Sequence, residues 1–261
     1  MKERIRRPIG VVVVSMLLVA LSAGAALAAT VNCPYYGGYC YGTIYTDSIY
    51  GSYYYSDTIY AYSGDDYVAS YYGNDKVYAH SGNDDVYPGS NNDQVNASSG
   101  YDYVDAWYGN DSINPGSGND TVLGYYGDDY ISGSAVGGYW PTDELGNDYL
   151  YGEAGNDYII DWKGNDHAYG GSENDTINVD DGYAYDYVDA GSGYDTVYAD
   201  YGDTVVNAEA VYKTAAGAKS LAEQERPEPP KLSKAETKSA TDAKSLAEKD
   251  AKQPEERSPV K

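Results

Sequence analysis

Eight aspartates stand nine residues apart without a slip: Asp66, Asp75, Asp84, Asp93, Asp102, Asp111, Asp120 and Asp129. Two residues after each comes a lone aliphatic: Val68, Val77, Val86, Val95, Val104, Ile113, Val122 and Ile131. Two residues before each comes a glycine, or Asn91 in one unit, and the residue between is usually Asn or Asp. A fixed period of this kind marks a chain that repeats one small unit and buries a core only by stacking it. Gly-Asn-Asp is turn chemistry, because Gly and Asn accept left-handed backbone. The x-Val-x that follows is the shortest alternating strand, one side chain pointing in and its neighbours out. Two nonapeptides then make one coil, with strands on opposite sides and turns at opposite ends. The expected fold class is all-β, a parallel β-roll or β-helix solenoid. Turns on one edge belong to repeats eighteen residues apart, as Asp66 to Asp84 and Asp75 to Asp93.

The carboxylates constrain the chemistry. Stacking at the strand spacing of roughly 4.7–4.9 Å lines up a column of like charges along each edge. Such a column is repulsive unless cations sit between the turns. Carboxylates and the carbonyls of an open Gly-rich loop are hard oxygen donors. They suit Ca²⁺, which takes about 6–8 oxygens in flexible geometry, better than Mg²⁺ with its tight octahedron. The turns hold no His or Cys at metal-ligand spacing, which argues against Zn²⁺.

The stretch Ser70-Tyr71-Tyr72-Gly73-Asn74-Asp75-Lys76-Val77-Tyr78 and its neighbours resemble the nonapeptide Gly-Gly-x-Gly-x-Asp-x-aliphatic-x of the RTX calcium-binding β-roll. The resemblance covers roughly Tyr50 to Tyr212. In that family each turn supplies its sixth-position Asp, with loop carbonyls, to Ca²⁺ held between coils. Residue by residue, it implies a ligand role for Asp57, Asp66, Asp75, Asp84, Asp93, Asp102, Asp111, Asp120, Asp129, Asp148, Asp157, Asp166, Asp175, Asp186 and Asp195. One departure is that the first two glycines are mostly replaced, by pairs such as Ser70-Tyr71, Ala79-His80, Ala106-Trp107 and Asp161-Trp162. This takes backbone freedom from the loops and leads us to expect weaker individual sites.

Residues 1–28 have the form of a secretory signal peptide: Lys2, Arg4, Arg6 and Arg7, an apolar run from Ile9, then Ala26-Leu27-Ala28 before the expected cleavage. The apolar run is short for a membrane anchor. Residues 29–50 are expected to form an N-terminal cap in which Cys33 and Cys40, the only cysteines, pair as a disulfide. Metal ligation by the pair lacks a third or fourth soft ligand. Residues 51–212 are the repeats. After Asp129 the next good unit, Gly146-Asn147-Asp148, comes nineteen residues on, which implies one degenerate unit plus one inserted residue, with Val136 to Glu144 bulging as a loop. Asp186, Asp195 and Asp203 then follow at uneven intervals, and Val205 to Tyr212 has the look of a closing strand. From residue 213 to 261 the chain has no aromatic residue and alternates Lys with Glu, a composition expected to be disordered.

The net charge of −24 is sharply partitioned. The signal region carries four basic and one acidic residue, and the tail eleven basic and nine acidic. Residues 29–212 therefore hold −29, with Lys76 and Lys163 as their only cations. A small body with that charge repels itself. About a dozen Ca²⁺ ions, one per stacked pair of turns, would cancel most of it, so folding is expected to be coupled to calcium. Site affinities are expected in the extracellular range, about 10⁻⁴–10⁻³ M. The charge argues against nucleic acid and against an anionic membrane after signal cleavage.

Thirty-four tyrosines accompany no phenylalanine, most at the second, third, seventh and ninth places of the unit. Stacked one coil apart, the outward ones are expected to form ladders. They serve either as half-exposed strand filler or as an aromatic face for polysaccharide or self-association. His80 and His167 fall at variable places with no fixed partner, so no catalytic constellation stands out and no enzyme is expected. The expectation is a secreted calcium-binding repeat protein with a structural or matrix role, the alternative being a calcium-dependent adhesin or glycan binder.

Overall fold

The computed structural model describes residues 28–132, 146–161, 164–182 and 185–214. The expected signal segment up to residue 27, the segment Val136 to Glu144 and the tail beyond residue 214 lie outside them. Among the described residues are twenty short strands, from β1 (Ala29–Asn32) and β2 (Gly38–Tyr41) to β19 (Thr204–Val206) and β20 (Ala210–Thr214). Odd-numbered strands form one sheet and even-numbered strands the other, each in chain order and parallel throughout. The chain therefore alternates sheets at every unit, two units to a coil. In the unbroken stretch the partner lies eighteen residues on, as Val68 against Val86 and Val77 against Val95.

Between the sheets runs a single file of aliphatics, Val68, Val77, Val86, Val104, Ile113, Val122 and Ile131 among them, all buried. Burying one such side chain stabilises by roughly 1.5–3 kcal/mol, and each unit contributes only one. The first place of the unit also faces inward: Ala61, Ala79, Ala97 and Ala106 join the core. That place is small because it is enclosed. It also lies outside the left-handed region, so losing the family's first glycine costs no backbone freedom.

The second place is different. Tyr62, Tyr71, His80, Ser98, Trp107, Tyr125 and Glu153 all keep a left-handed backbone there, with φ between 72° and 82°. The loop has retained its shape with side chains that disfavour it, at a cost of order 1–2 kcal/mol per residue.

The interruption after Asp129 is not a degenerate unit. β12 (Tyr130–Ser132) lies in the even sheet, and β13 (Tyr149–Ala154) lies in the odd one beside β11 (Thr121–Tyr126). Val122 pairs with Leu150 and Ile131 with Ile159, twenty-eight residues apart in place of eighteen. A degenerate unit would have contributed a strand and sent Asp148 to the opposite edge. Instead, a single crossing is lengthened by ten residues.

At the N-terminal end, β1 pairs with β3 (Asp47–Tyr50) and β2 with β4 (Asp57–Tyr60), so residues 29–50 take the register of the roll from the first coil. Cys33 and Cys40 are joined across that coil's turn, Cα atoms 5.4 Å apart, and Cys40 lies in the aliphatic file against Ile59. At the other end, the expected closing strand is two strands, β19 and β20, one in each sheet.

Candidate metal centres

Each turn delivers its sixth-place aspartate to the interior. The residue two before it is a glycine with φ of 120–155° in most units. An added Cβ there would lie 1.7 Å from the Gly64 carbonyl oxygen at Gly82, 1.6 Å from that of Gly82 at Gly100, and 1.4 Å from that of Gly100 at Gly118. Glycine is therefore required twice, by its conformation and by the carbonyl pressed against it. This contact holds successive turns close and folds each aspartate under its own loop.

All fifteen aspartates singled out from the sequence are buried, and they fall into two continuous columns. In each column the backbone N–H of one aspartate donates to Oδ1 of the aspartate one coil later. One edge runs from Asp66 through Asp84, Asp102, Asp120, Asp148 and Asp166 to Asp186, at 2.8–2.9 Å. The other runs from Asp57 through Asp75, Asp93, Asp111, Asp129, Asp157 and Asp175 to Asp195, at 2.7–2.9 Å. The same-edge pairing expected from the eighteen-residue spacing is what the structure has, and the columns pass through the ten-residue insertion unbroken.

Asp47, Asp203, Glu209 and Asp161 were missed from the sequence. Asp47 heads the first column, its N–H donating to Asp66, but Ala29 and Thr43 supply donors to both of its oxygens. Asp203 ends that column, with Tyr185 and Asp186 on Oδ1 and Asp200 on Oδ2. Glu209 takes the Asp195 N–H and closes the second column at 2.9 Å. Gly202-Asp203-Thr204-Val205 was the available signal for the second of these, masked by a spacing one residue short. Asp161, at the first place of its unit, brings a third carboxylate within 4.8 Å of Asp148 and Asp166.

Twelve of the fifteen aspartates share one feature. Oδ2 of Asp66, Asp75, Asp84, Asp93, Asp102, Asp111, Asp120, Asp129, Asp157, Asp175 and Asp195 is buried and accepts no hydrogen bond from the protein, as is Oδ1 of Asp57. A buried carboxylate oxygen with no donor is costly unless a cation or a proton meets it. Burial is the main influence on these carboxyls and raises them above the usual range near 4. It is opposed by the hydrogen bond from the preceding coil and reinforced by neighbouring carboxylates. Asp93 is pushed up to about 9, Asp66 and Asp102 to about 8, and Asp84 and Asp120 to about 6. The donor set is all oxygen, anionic, repeated at each coil and enclosed by turn backbone, and so fits a hard divalent ion of variable coordination.

A two-sheet parallel roll with bare carboxylate oxygens along both edges is a metal-binding β-solenoid. The RTX calcium-binding nonapeptide repeat family matches residues 41–71, 53–86, 71–95, 87–122, 116–135, 144–177 and 186–209. These segments span more than half of the 261 residues, and the chain belongs to that family. No match to a curated protein accompanies it. The repeats of the family bind Ca²⁺, and this chain is a calcium-binding repeat protein.

Proposed function

We propose that this chain is an exported, non-enzymatic protein of the cell exterior that calcium folds and stiffens, with a structural or matrix role. The observation that carries this reading is the pair of buried aspartate columns, in which twelve of the fifteen aspartates carry a buried oxygen with no protein donor. With −29 charges and two cations in residues 29–212, the metal-free roll repels itself, and bound calcium removes both the repulsion and the desolvated charge. The basic, apolar and small-residue stretches of residues 1–28 support export, with the mature chain opening at Ala29.

Far-UV circular dichroism of the mature chain at mildly alkaline pH tests the reading. Calcium is expected to drive a cooperative coil-to-β transition that magnesium does not. A chain already rich in β-structure in EGTA would sink it, since the aspartates would then be turn formers only. Asp111→Ala is expected to lower calcium stoichiometry by touching the sites shared with Asp93 and Asp129. Equal stoichiometry would refute that ligand assignment.

A second reading, a calcium-dependent adhesin, draws on the exposed aromatic residues of one edge, Tyr54, Tyr72, Trp107, Tyr108 and Tyr126. Immobilised polysaccharides should retain the chain with calcium and release it in EGTA, whereas a purely structural roll is retained in neither.

A further inference from the structure

Thirty-four tyrosines beside no phenylalanine is a choice of phenol over plain ring at every such position. Packing does not require it, since phenylalanine fills a half-buried strand place equally well. Much of the ring stacking between coils is face to face. Tyr151 and Tyr169 lie 4.6 Å apart at 4°, Tyr130 and Tyr158 5.5 Å apart at 4°, and Tyr60 and Tyr78 4.9 Å apart at 10°.

Tyr53 and Tyr72 meet differently. They sit in the turns that lead to Asp57 and Asp75, one coil apart on the edge that also bears the disulfide. Their ring centroids are 5.3 Å apart and the planes are inclined at 59°. At this separation and inclination the pair meets through its ring edges, which carry the carbons ortho to the oxygens. Tyr53 is 52% exposed and Tyr72 42%, so a diffusing oxidant reaches both. The other combinations between these two coils, Tyr53 with Tyr71 at 5.7 Å and Tyr54 with Tyr72 at 6.4 Å, are more nearly parallel, and Tyr53 with Tyr54, 4.6 Å apart at 83°, lies within one turn and ties no coils together.

We infer that Tyr53 and Tyr72 form an oxidative modification site, joined by an aryl carbon–carbon bond when the folded roll meets hydrogen peroxide and a haem peroxidase. Each phenol gives up one electron and one proton. The two phenoxyl radicals couple through their ortho carbons, and the hydrogen on each joined carbon moves to oxygen and restores the phenol. The two electrons and two protons removed reduce one hydrogen peroxide to two waters.

The bond ties the second coil to the third. A solenoid frays from its ends, where the terminal coil has a neighbour on one side only. The disulfide already closes the first turn there, and the tyrosine link extends covalent support inward along the same edge. A roll so joined holds its first coils after calcium is withdrawn. The inference rests on coil stacking and not on the calcium reading.

The test is peroxidase and hydrogen peroxide on the dilute calcium-loaded chain, followed by digestion before aspartate and mass spectrometry. Peptides 47–56 and 66–74 are expected to appear joined, two hydrogens lighter than their sum, as the main intrachain product. Tyr53→Phe and Tyr72→Phe, which keep the rings and the fold, should each abolish that product. After EGTA, the oxidised wild-type chain should keep more β-signal than oxidised Tyr72→Phe. The inference is overturned if the product is missing, if it survives in Tyr72→Phe, or if it forms equally in the urea-unfolded chain.

Discussion

The fourth and second places of the unit both hold left-handed backbone, yet the chain treats them differently. At the fourth place, glycine persists almost throughout, because a Cβ there collides with the carbonyl oxygen one coil away. At the second place, tyrosine, histidine, serine, tryptophan and glutamate are all present with φ near 80°. Gly100→Ala is therefore expected to cost about 1–3 kcal/mol through strain alone, with the collision in addition. Glu153→Gly is expected to stabilise by up to about 1 kcal/mol, since it relieves a left-handed residue at the expense of a freer unfolded chain. Melting both variants in saturating calcium checks the pair, and a Gly100→Ala melt equal to wild type would contradict the carbonyl contact. The importance of the fourth glycine was legible in the sequence from its recurrence. The tolerance of the second place was not, because a missing glycine looks the same whether the backbone has changed or is merely strained.

Between elements, the alternation of strand and turn was readable because the period is strict from Asp66 to Asp129. It gave the two sheets, the inward aliphatics and the same-edge pairing of aspartates. It misled at the interruption, since nineteen residues is one more than two units, and counting cannot distinguish a lost unit from a long crossing. Only the pairing of Val122 with Leu150 and Ile131 with Ile159 decides it. The aromatic ladders were also foreseen too simply. Tyr50, Tyr67, Tyr87 and Tyr103 follow one another in a zigzag between the ninth and seventh places, 5.3–5.9 Å from ring to ring. Deleting the ten extra residues between Asp129 and Asp148 should leave strand order and both aspartate columns intact. Shortening a connection changes the closure entropy only by a term logarithmic in its length, less than about 1 kcal/mol here. The check is calcium stoichiometry and the melting midpoint of the deletion variant. Loss of calcium-dependent β-structure would mean that the segment builds part of the roll.

Across the whole molecule, the columns make the roll a competition between protons and calcium. In the folded, metal-free chain Asp93 titrates at about 9, Asp66, Asp102 and Asp186 at about 8, and Asp75, Asp111 and Asp129 at about 7. Burial is the largest cause in each, and the open chain titrates near 4. The folded state thus binds more protons than the unfolded one between about pH 4 and 9, so its stability must fall as pH rises through that window. Protonation supplies what the bare oxygens lack, a neutral carboxyl in place of a desolvated charge. In EGTA, the chain is expected to gain β-structure on acidification towards pH about 4 and to lose it progressively up to pH about 9. With calcium in excess the β-signal should be nearly flat across the same range, since the cation replaces the proton. Calcium added near pH 6 should then release protons into a weakly buffered solution, more than near pH 9, where few remain to displace. Circular dichroism and a pH electrode measure both effects. A metal-free chain whose β-content ignores pH would show that the buried carboxyls do not govern folding.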